Sequence, residues 1–207
     1  MTREEFEQAA GVSRETSARF ETWMNLLAEW SEHTNLVGRA TLEDFWERHA
    51  LDSFQLFPLL PEDARRIVDI GAGAGFPGLA LAAGYKDRGE EAEIILVESI
   101  AKKARFLTEA AQAMGVDVAV KPIRIEHLAL DGPVDVVTAR AVAPLNKLLG
   151  LAASLLKTGA IGLFPKGRRY QDELTEARKN WTFEAEVIPS RTSDGVILRI
   201  DEVQRVK

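Results

Sequence analysis

Two hydrophobic rhythms divide the chain. Up to about residue 60, apolar side chains recur at helical spacing. Phe20, Trp23, Met24, Leu27 and Trp30 follow i, i+3, i+4, i+7, one buried stripe on a long helix. Thr2-x-x-Glu5 is a capping box that opens a short helix ended by Gly11, and Ser13 caps the long one. Thr41-x-x-Asp44 is expected to cap a third helix carrying Phe45, Trp46 and His49. Pro58 and Pro61, around Leu59-Leu60, break the helical pattern.

From Arg65 onward, short apolar runs alternate with longer amphipathic ones. Strands are expected at Ile67–Ile70, Glu93–Glu98, Val116–Val120, Val134–Ala139 and Ala160–Phe164. Helices are expected from Leu79, at Ala101–Met114 with Gly115 ending it, at Pro144–Leu156 and from Tyr170 to Lys179. Two last strands, Phe183–Ile188 and Val196–Ile200, are split by Pro189 and by a hairpin turn at Asp194-Gly195. Repeated strand–helix units predict an α/β domain, a mostly parallel sheet with right-handed crossovers and helices on both faces. Residues 1–60 are then an N-terminal helical extension packed on this core, and 61–207 the domain itself.

The stretch Val68-Asp-Ile-Gly-Ala-Gly-Ala-Gly-Phe-Pro-Gly78 stands where the first strand gives way to a helix. Pro77 suits the first turn of that helix. Glycine is costly in an ordered loop unless the backbone needs φ > 0 or a ligand comes close. Four glycines in one turn therefore point to a loop shaped around a cofactor. Gly73, Gly75 and Gly78 match G-x-G-x-x-G, which admits a nicotinamide dinucleotide. Asp69, ending the strand, suits the ammonium group of S-adenosylmethionine, bound directly or through water. A P-loop is excluded, since no G-x-x-x-x-G-K-[ST] occurs.

Composition removes several classes. There is no Cys and there are three scattered His, so neither a disulfide nor a metal-ligand spacing is present. The acidic start lacks the apolar core of a signal peptide, and no apolar run is long enough for a bilayer. A soluble, cytoplasmic protein is expected. The net charge of −6 is uneven: −6 over residues 1–60, −2 over 61–156 and +2 over 157–207. An acidic extension leaves two basic clusters to meet an anionic partner, Lys102-Lys103-x-Arg105 and Lys166-x-Arg168-Arg169.

In such sheets the chemistry sits outside the carboxyl ends of the strands, where the winding reverses. Asp69 and the glycines lie after the first strand. Glu98 ends the second, where a carboxylate suits the two hydroxyls of a ribose. Ile125-Glu126 lies after the third, where an adenine would be held. Arg140 ends the fourth and Lys166 follows the fifth.

Together these segments resemble the RsmG (GidB) family of bacterial 16S ribosomal RNA methyltransferases. The resemblance runs from Trp30 to about Ile200. It rests on Asn35-Leu36-Val37, Arg48-His49-x-x-Asp52-Ser53, the glycine motif, Glu98-Ser99, Lys102-Lys103-x-Arg105-Phe106-Leu107, Arg124-Ile125-Glu126, Ala139-Arg140-Ala141 and Pro165-Lys166-Gly167. It implies a Rossmann-like class I methyltransferase fold whose sheet closes with an antiparallel strand. It implies S-adenosylmethionine contacts at Gly71, Phe76, Ile125, Glu126 and Arg140, beside Asp69, Gly73 and Glu98 from the reading above. It also implies methylation of N7 of a guanosine in the 530 loop of 16S rRNA, within the small subunit or an assembly intermediate, by a chain expected to be a monomer without metal. Arg140 and Lys166 are expected to position the target, and Lys102, Arg105, Lys166, Arg168 and Arg169 to meet RNA phosphates. His49 and Asp52 are expected to join the extension to the core, with direct RNA contact as the alternative. The chemistry agrees by exclusion. Cytosine C5 methylation usually uses a Cys, and exocyclic-amine methylation an Asn- or Asp-Pro-Pro-aromatic loop. This chain has no Cys and no Pro-Pro pair. Guanine N7 is already nucleophilic and loses no proton, so alignment suffices.

Overall fold

In the computed structural model, which describes residues 1–206, local signals set most of the helix ends. The Thr2 hydroxyl accepts the Glu5 N–H and the Glu5 carboxylate accepts the Thr2 N–H, opening α1 (Arg3–Ala10), which Gly11 ends at φ 68°. Ser13 caps α2 (Arg14–Ser31). A short α3 (Arg39–Leu42) follows, then a π-helical stretch Trp46–Leu51 running into α4 (Asp52–Phe54). Thr41 does not cap a helix as expected. It lies inside α3 and its hydroxyl donates to the Gly38 carbonyl at 2.7 Å.

Besides two 3-10 turns, Phe57–Leu59 and Ile125–His127, the remaining elements are β1 (Arg66–Ile70), α5 (Gly78–Arg88), β2 (Glu93–Val97), α6 (Ala101–Met114), β3 (Ala119–Lys121), β4 (Val136–Thr138), α7 (Leu145–Leu156), β5 (Ile161–Lys166), α8 (Tyr170–Ala177), β6 (Trp181–Pro189) and β7 (Val196–Arg205). One seven-stranded sheet has the order β3-β2-β1-β4-β5-β7-β6. The first five strands are mutually parallel, and β7 runs antiparallel between β5 and β6. This is the Rossmann-like arrangement expected, with its closing antiparallel strand. Winding reverses between β1 and β4, so a crevice opens above their carboxyl ends.

Alternation along each strand feeds two cores. On β2, Ile94 and Leu96 face one side while Ile95 and Val97 face the other. The first core joins Phe6, Phe20, Trp23, Leu27, Phe45 and Phe54 of the N-terminal helices to Leu79 and Ala83 of α5 and Phe106 of α6. The second lies under α7 and α8.

Three boundaries differ from expectation for identifiable reasons. β3 begins at Ala119 because the Val116 N–H is spent on the Ala111 carbonyl in the cap of α6. β5 extends to Lys166 because β7 pairs with its end, Pro165 opposite Ile197 and Lys166 opposite Val196. Asp194-Gly195 is not a two-residue turn: Pro189 pairs with Val196, leaving a loop at 190–195. Gly195 is needed there, since a Cβ would lie 2.3 Å from the Lys166 carbonyl oxygen.

Candidate functional site

The glycine turn is built from beneath. Gly71, Gly73 and Gly75 have φ of 65°, 57° and 98°, a region that branched residues avoid. Under them lies Asp69, fully buried. One of its oxygens accepts the Thr138 hydroxyl at 2.9 Å and the other the Gly78 N–H at 3.0 Å. Asp69 was expected to meet a ligand's ammonium, directly or through water; in the structure its fully buried carboxyl ties β1 to β4 and to the start of α5. Burial pushes its pKa up to about 7, with the two hydrogen bonds pulling the other way. Gly78, the last glycine of the dinucleotide-like pattern, has a packing reason. A Cβ there would stand 2.2 Å from Leu96 Cδ2 and 2.8 Å from Asp69 Oδ2. Pro77 stands one position before the helix rather than inside its first turn.

Glu98, buried at the end of β2, accepts the Gly73 N–H at 3.0 Å with one oxygen and the Ile100 N–H at 2.8 Å with the other. It lines a cavity of about 240 Å³ with Gly71, Val97, Ile123, Ile125, Glu126 and Val142. A carboxylate with spare lone pairs and apolar walls fit a nucleoside: acceptors for ribose hydroxyls and a slot for a flat base. Glu98, Gly71, Ile125 and Glu126 thus come together as the sequence suggested. Gly73 reaches the cavity through its bond to Glu98, and a Cβ on it would meet nothing nearer than the Gly71 oxygen at 3.7 Å.

Phe76 is elsewhere. Its ring is 5% exposed, stacked on His49 at 4.7 Å and packed on Trp23 at 4.4 Å, with the Arg140 guanidinium 4.5 Å above it. The ring of Phe76 fastens the N-terminal helices to the glycine turn, as does Trp23, whose indole N–H donates to the Ala74 carbonyl at 3.1 Å.

A second cleft, about 780 Å³, lies on the other side of the segment Arg140–Ala143. Val142 and Ala143 line both spaces, so this segment is their common wall. Arg140 is fixed by residues on α4 and the π-helical stretch. It donates to Asp52 Oδ2 at 2.8 Å, to the Arg48 carbonyl at 3.1 Å and to His49 Nδ1 at 3.0 Å. Because a guanidinium only donates, Nδ1 accepts and the proton sits on Nε2. Burial, then the Arg140 charge, lowers the His49 pKa to about 4. The other oxygen of Asp52 accepts the Thr192 hydroxyl at 2.7 Å and the Gln55 amide at 3.1 Å. One carboxylate thus ties together α4, the 190–195 loop and Arg140. The expectation for His49 and Asp52 agrees with these contacts.

Lys166 does not stand free for RNA. Its side chain is 8% exposed and its ammonium is held by Glu173 at 2.8 Å and the Ala143 carbonyl at 2.9 Å. The same Glu173 oxygen accepts the Leu145 N–H at 2.7 Å. Lys166 instead braces the segment dividing the two cavities. Arg168 and Arg169 are exposed and paired with Asp194 and Asp172. Lys102 donates to the His33 carbonyl, and Arg105 is exposed on α6. Thr138, Gln55, Glu173 and Thr192 escaped the sequence reading. Each has at least one partner distant in the chain, and only Thr138, in an otherwise apolar strand, carried a signal.

Residues 16–194 match the family described as rRNA small subunit methyltransferase G (GidB). A ribosomal RNA small subunit methyltransferase G from Rhodospirillum centenum is 50% identical over 201 residues, covering 96% of this chain and 90% of the relative. One from Rhodospirillum rubrum is 47% identical over 207 residues, covering 99% and 100%. Among solved structures, an SAH-bound methyltransferase from Podospora anserina aligns with TM-score 0.59 at 17% identity, over 92% of this chain and 88% of that one. A ribosomal protein L11 methylase from Lactobacillus delbrueckii subsp. bulgaricus aligns with TM-score 0.56 at 16% identity, over 75% and 77%.

Proposed function

The chain belongs to the rRNA small subunit methyltransferase G family, and from that premise we propose that it transfers a methyl group from S-adenosylmethionine to N7 of a guanosine in the 530 loop of 16S rRNA. The observation that carries this is the pair of cavities sharing the Val142–Ala143 wall, one nucleoside-sized and one larger. Donor and acceptor meet at that wall. S-adenosylmethionine supplies the methyl as a sulfonium electrophile. Glu98 holds the ribose hydroxyls, Ile125 and Glu126 flank the adenine, and Gly71 and Gly73 let the backbone come close. Asp69 sets the turn from below. Residues 1–60 serve as a cap that completes the acceptor cleft through Arg48, His49, Asp52 and Gln55.

The acceptor cleft supports chemistry without a general base. Its acidic and imidazole groups are committed: Asp52 to Arg140, Thr192 and Gln55; Glu173 to Lys166 and the Leu145 amide; His49 Nδ1 to Arg140. Guanine N7 has a free lone pair and keeps its protons during transfer. The cleft therefore has only to orient the base, with Arg140 and Lys166 as positioning residues that fix the dividing wall.

A single-turnover rate at saturating cofactor and substrate should be nearly flat from roughly pH 6 to 8.5. Asp69 titrates near pH 7 but lies beneath the loop. Its Gly78 bond persists in either state, and the Thr138 hydroxyl can turn to accept a proton. A limb of unit slope that vanishes with one substitution would refute the proposal. Removing Arg140 or Lys166 should instead give graded losses, on the order of a hundredfold, from misplacement by about 1 Å.

A further inference from the structure

We infer that the RNA crosses the mouth of the cofactor cavity, held through its phosphates by Arg124 and Lys147, so that the cofactor must bind first and its spent form leaves only after the RNA. The inference rests on the proposed reaction and adds to it a surface and an order of events.

Arg124 and Lys147 line the cavity that holds Glu98, one from the segment after β3 and the other from the first turn of α7. Both are exposed, and neither has a carboxylate within 4 Å among the described residues. Lys121, exposed at the end of β3, is likewise unpaired. Glu126 shares the rim and pairs with none of them. The cofactor has no phosphate and only one carboxylate, which its sulfonium and ammonium together outweigh. Cations at the mouth of such a site oppose the cofactor's own charge and call for a separate anion. A polyanionic strand supplies it.

The contrast is the Lys166–Arg169 cluster, where three cations meet three carboxylates, Glu173, Asp194 and Asp172. In that locality every cation is paired, while at the cofactor mouth Arg124 and Lys147 are unpaired, with Glu126 on the rim and Glu98 buried inside, held by the Gly73 and Ile100 N–H groups. Because Arg124 and Lys147 reach the same opening from different elements, a strand held by both lies across it.

The test uses the full chain and small subunits lacking the modification. Labelled S-adenosylhomocysteine should leave the wild-type protein at least about tenfold more slowly when subunits are bound. In Arg124→Gln/Lys147→Gln that slowing should disappear. The log–log salt slope of subunit binding should fall by about 1.4 to 1.8, the change expected when two phosphates are no longer neutralised. Arg168→Gln/Arg169→Gln should change the slope by less than half as much. An unchanged slope in the first variant, or equally fast release with subunits bound, overturns the inference while wild-type methylation leaves the proposed reaction standing. A wild-type protein that neither binds nor methylates subunits overturns both.

Discussion

Asp52 is where the architecture is most exposed to test. Asp52→Asn keeps the shape of the side chain and removes its charge. Every group around the carboxylate can donate: Arg140 to one oxygen, Thr192 and Gln55 to the other. With the new amide oxygen turned to Arg140, its NH2 faces Thr192, whose hydroxyl can turn to accept it, and the Gln55 NH2, which cannot. The ion pair removed spans 2.8 Å, with side chains 17% and 18% exposed. A charge-assisted bond exceeds a neutral one by about 1 kcal/mol, and a donor left unsatisfied adds about 1–3 kcal/mol when fully buried. Partial exposure admits water and trims that, so we expect about 2 kcal/mol of stability to go. For a chain of this size this lowers Tm by about 4–8 °C. Freed from Asp52, Arg140 shifts, and single-turnover methylation should fall on the order of a hundredfold, with S-adenosylhomocysteine affinity changed less than about threefold. Thermal melts, calorimetry and single-turnover assays read these three quantities. A cycle with Arg140→Gln should give a coupling of about 1–2 kcal/mol. A variant that melts within about 1 °C of wild type and methylates normally, or a coupling near zero, would show that the latch positions nothing.

Other expectations follow from the same architecture. Gly78→Ala should lose about 1–3 kcal/mol in urea unfolding because its Cβ runs into Leu96 and Asp69, whereas Gly73→Val, whose Cβ meets only the Gly71 oxygen at 3.7 Å, should stay folded at a cost of about 1–3 kcal/mol for its φ of 57° and lose cofactor binding by calorimetry; undiminished affinity in the folded variant would remove Gly73 from the site. His49, lowered to about 4 from 6.5, excludes a proton that the unfolded chain binds, so its contribution is present above pH 6.5 and is lost as pH falls toward 4, about 3 kcal/mol in all. Asp69, raised from 3.8 to about 7, keeps a proton that the unfolded chain releases, so its contribution is present below pH 3.8 and is lost as pH rises through 7. In urea melts between pH 4.5 and 6, His49→Gln should therefore show a stability-versus-pH slope about 1.4 kcal/mol per unit lower than wild type, and Asp69→Asn one higher by the same amount; parallel slopes would refute both assignments.

What the sequence made legible was what near neighbours decide. Helix Ala101–Met114 and its Gly115 cap were read correctly because an amphipathic period and a left-handed glycine are local features. The parallel order of the first strands came from alternation with helices. The position of Asp69 on its strand was legible, but its bond to Thr138 on the neighbouring strand was not, because strand position tells which end of the sheet a residue occupies and not what its side chain meets. The surroundings of Lys166 were not legible, because the pairing of β7 extends β5 to it and Glu173 on α8 pairs with it. Phe76 looked like part of a cofactor loop, yet its partners Trp23, His49 and Arg140 come from three distant segments. These are tertiary contacts, and no period or motif encodes them.

The central claim is methyl transfer to one guanine nitrogen. Small subunits from cells lacking the enzyme, incubated with methyl-labelled S-adenosylmethionine and the wild-type protein, should take up label in a single nucleoside. Digestion should yield 7-methylguanosine, and mild reduction with aniline should cleave the 16S rRNA at one position in the 530 loop. No label in the rRNA, or label in a nucleoside that resists that cleavage, would contradict the account.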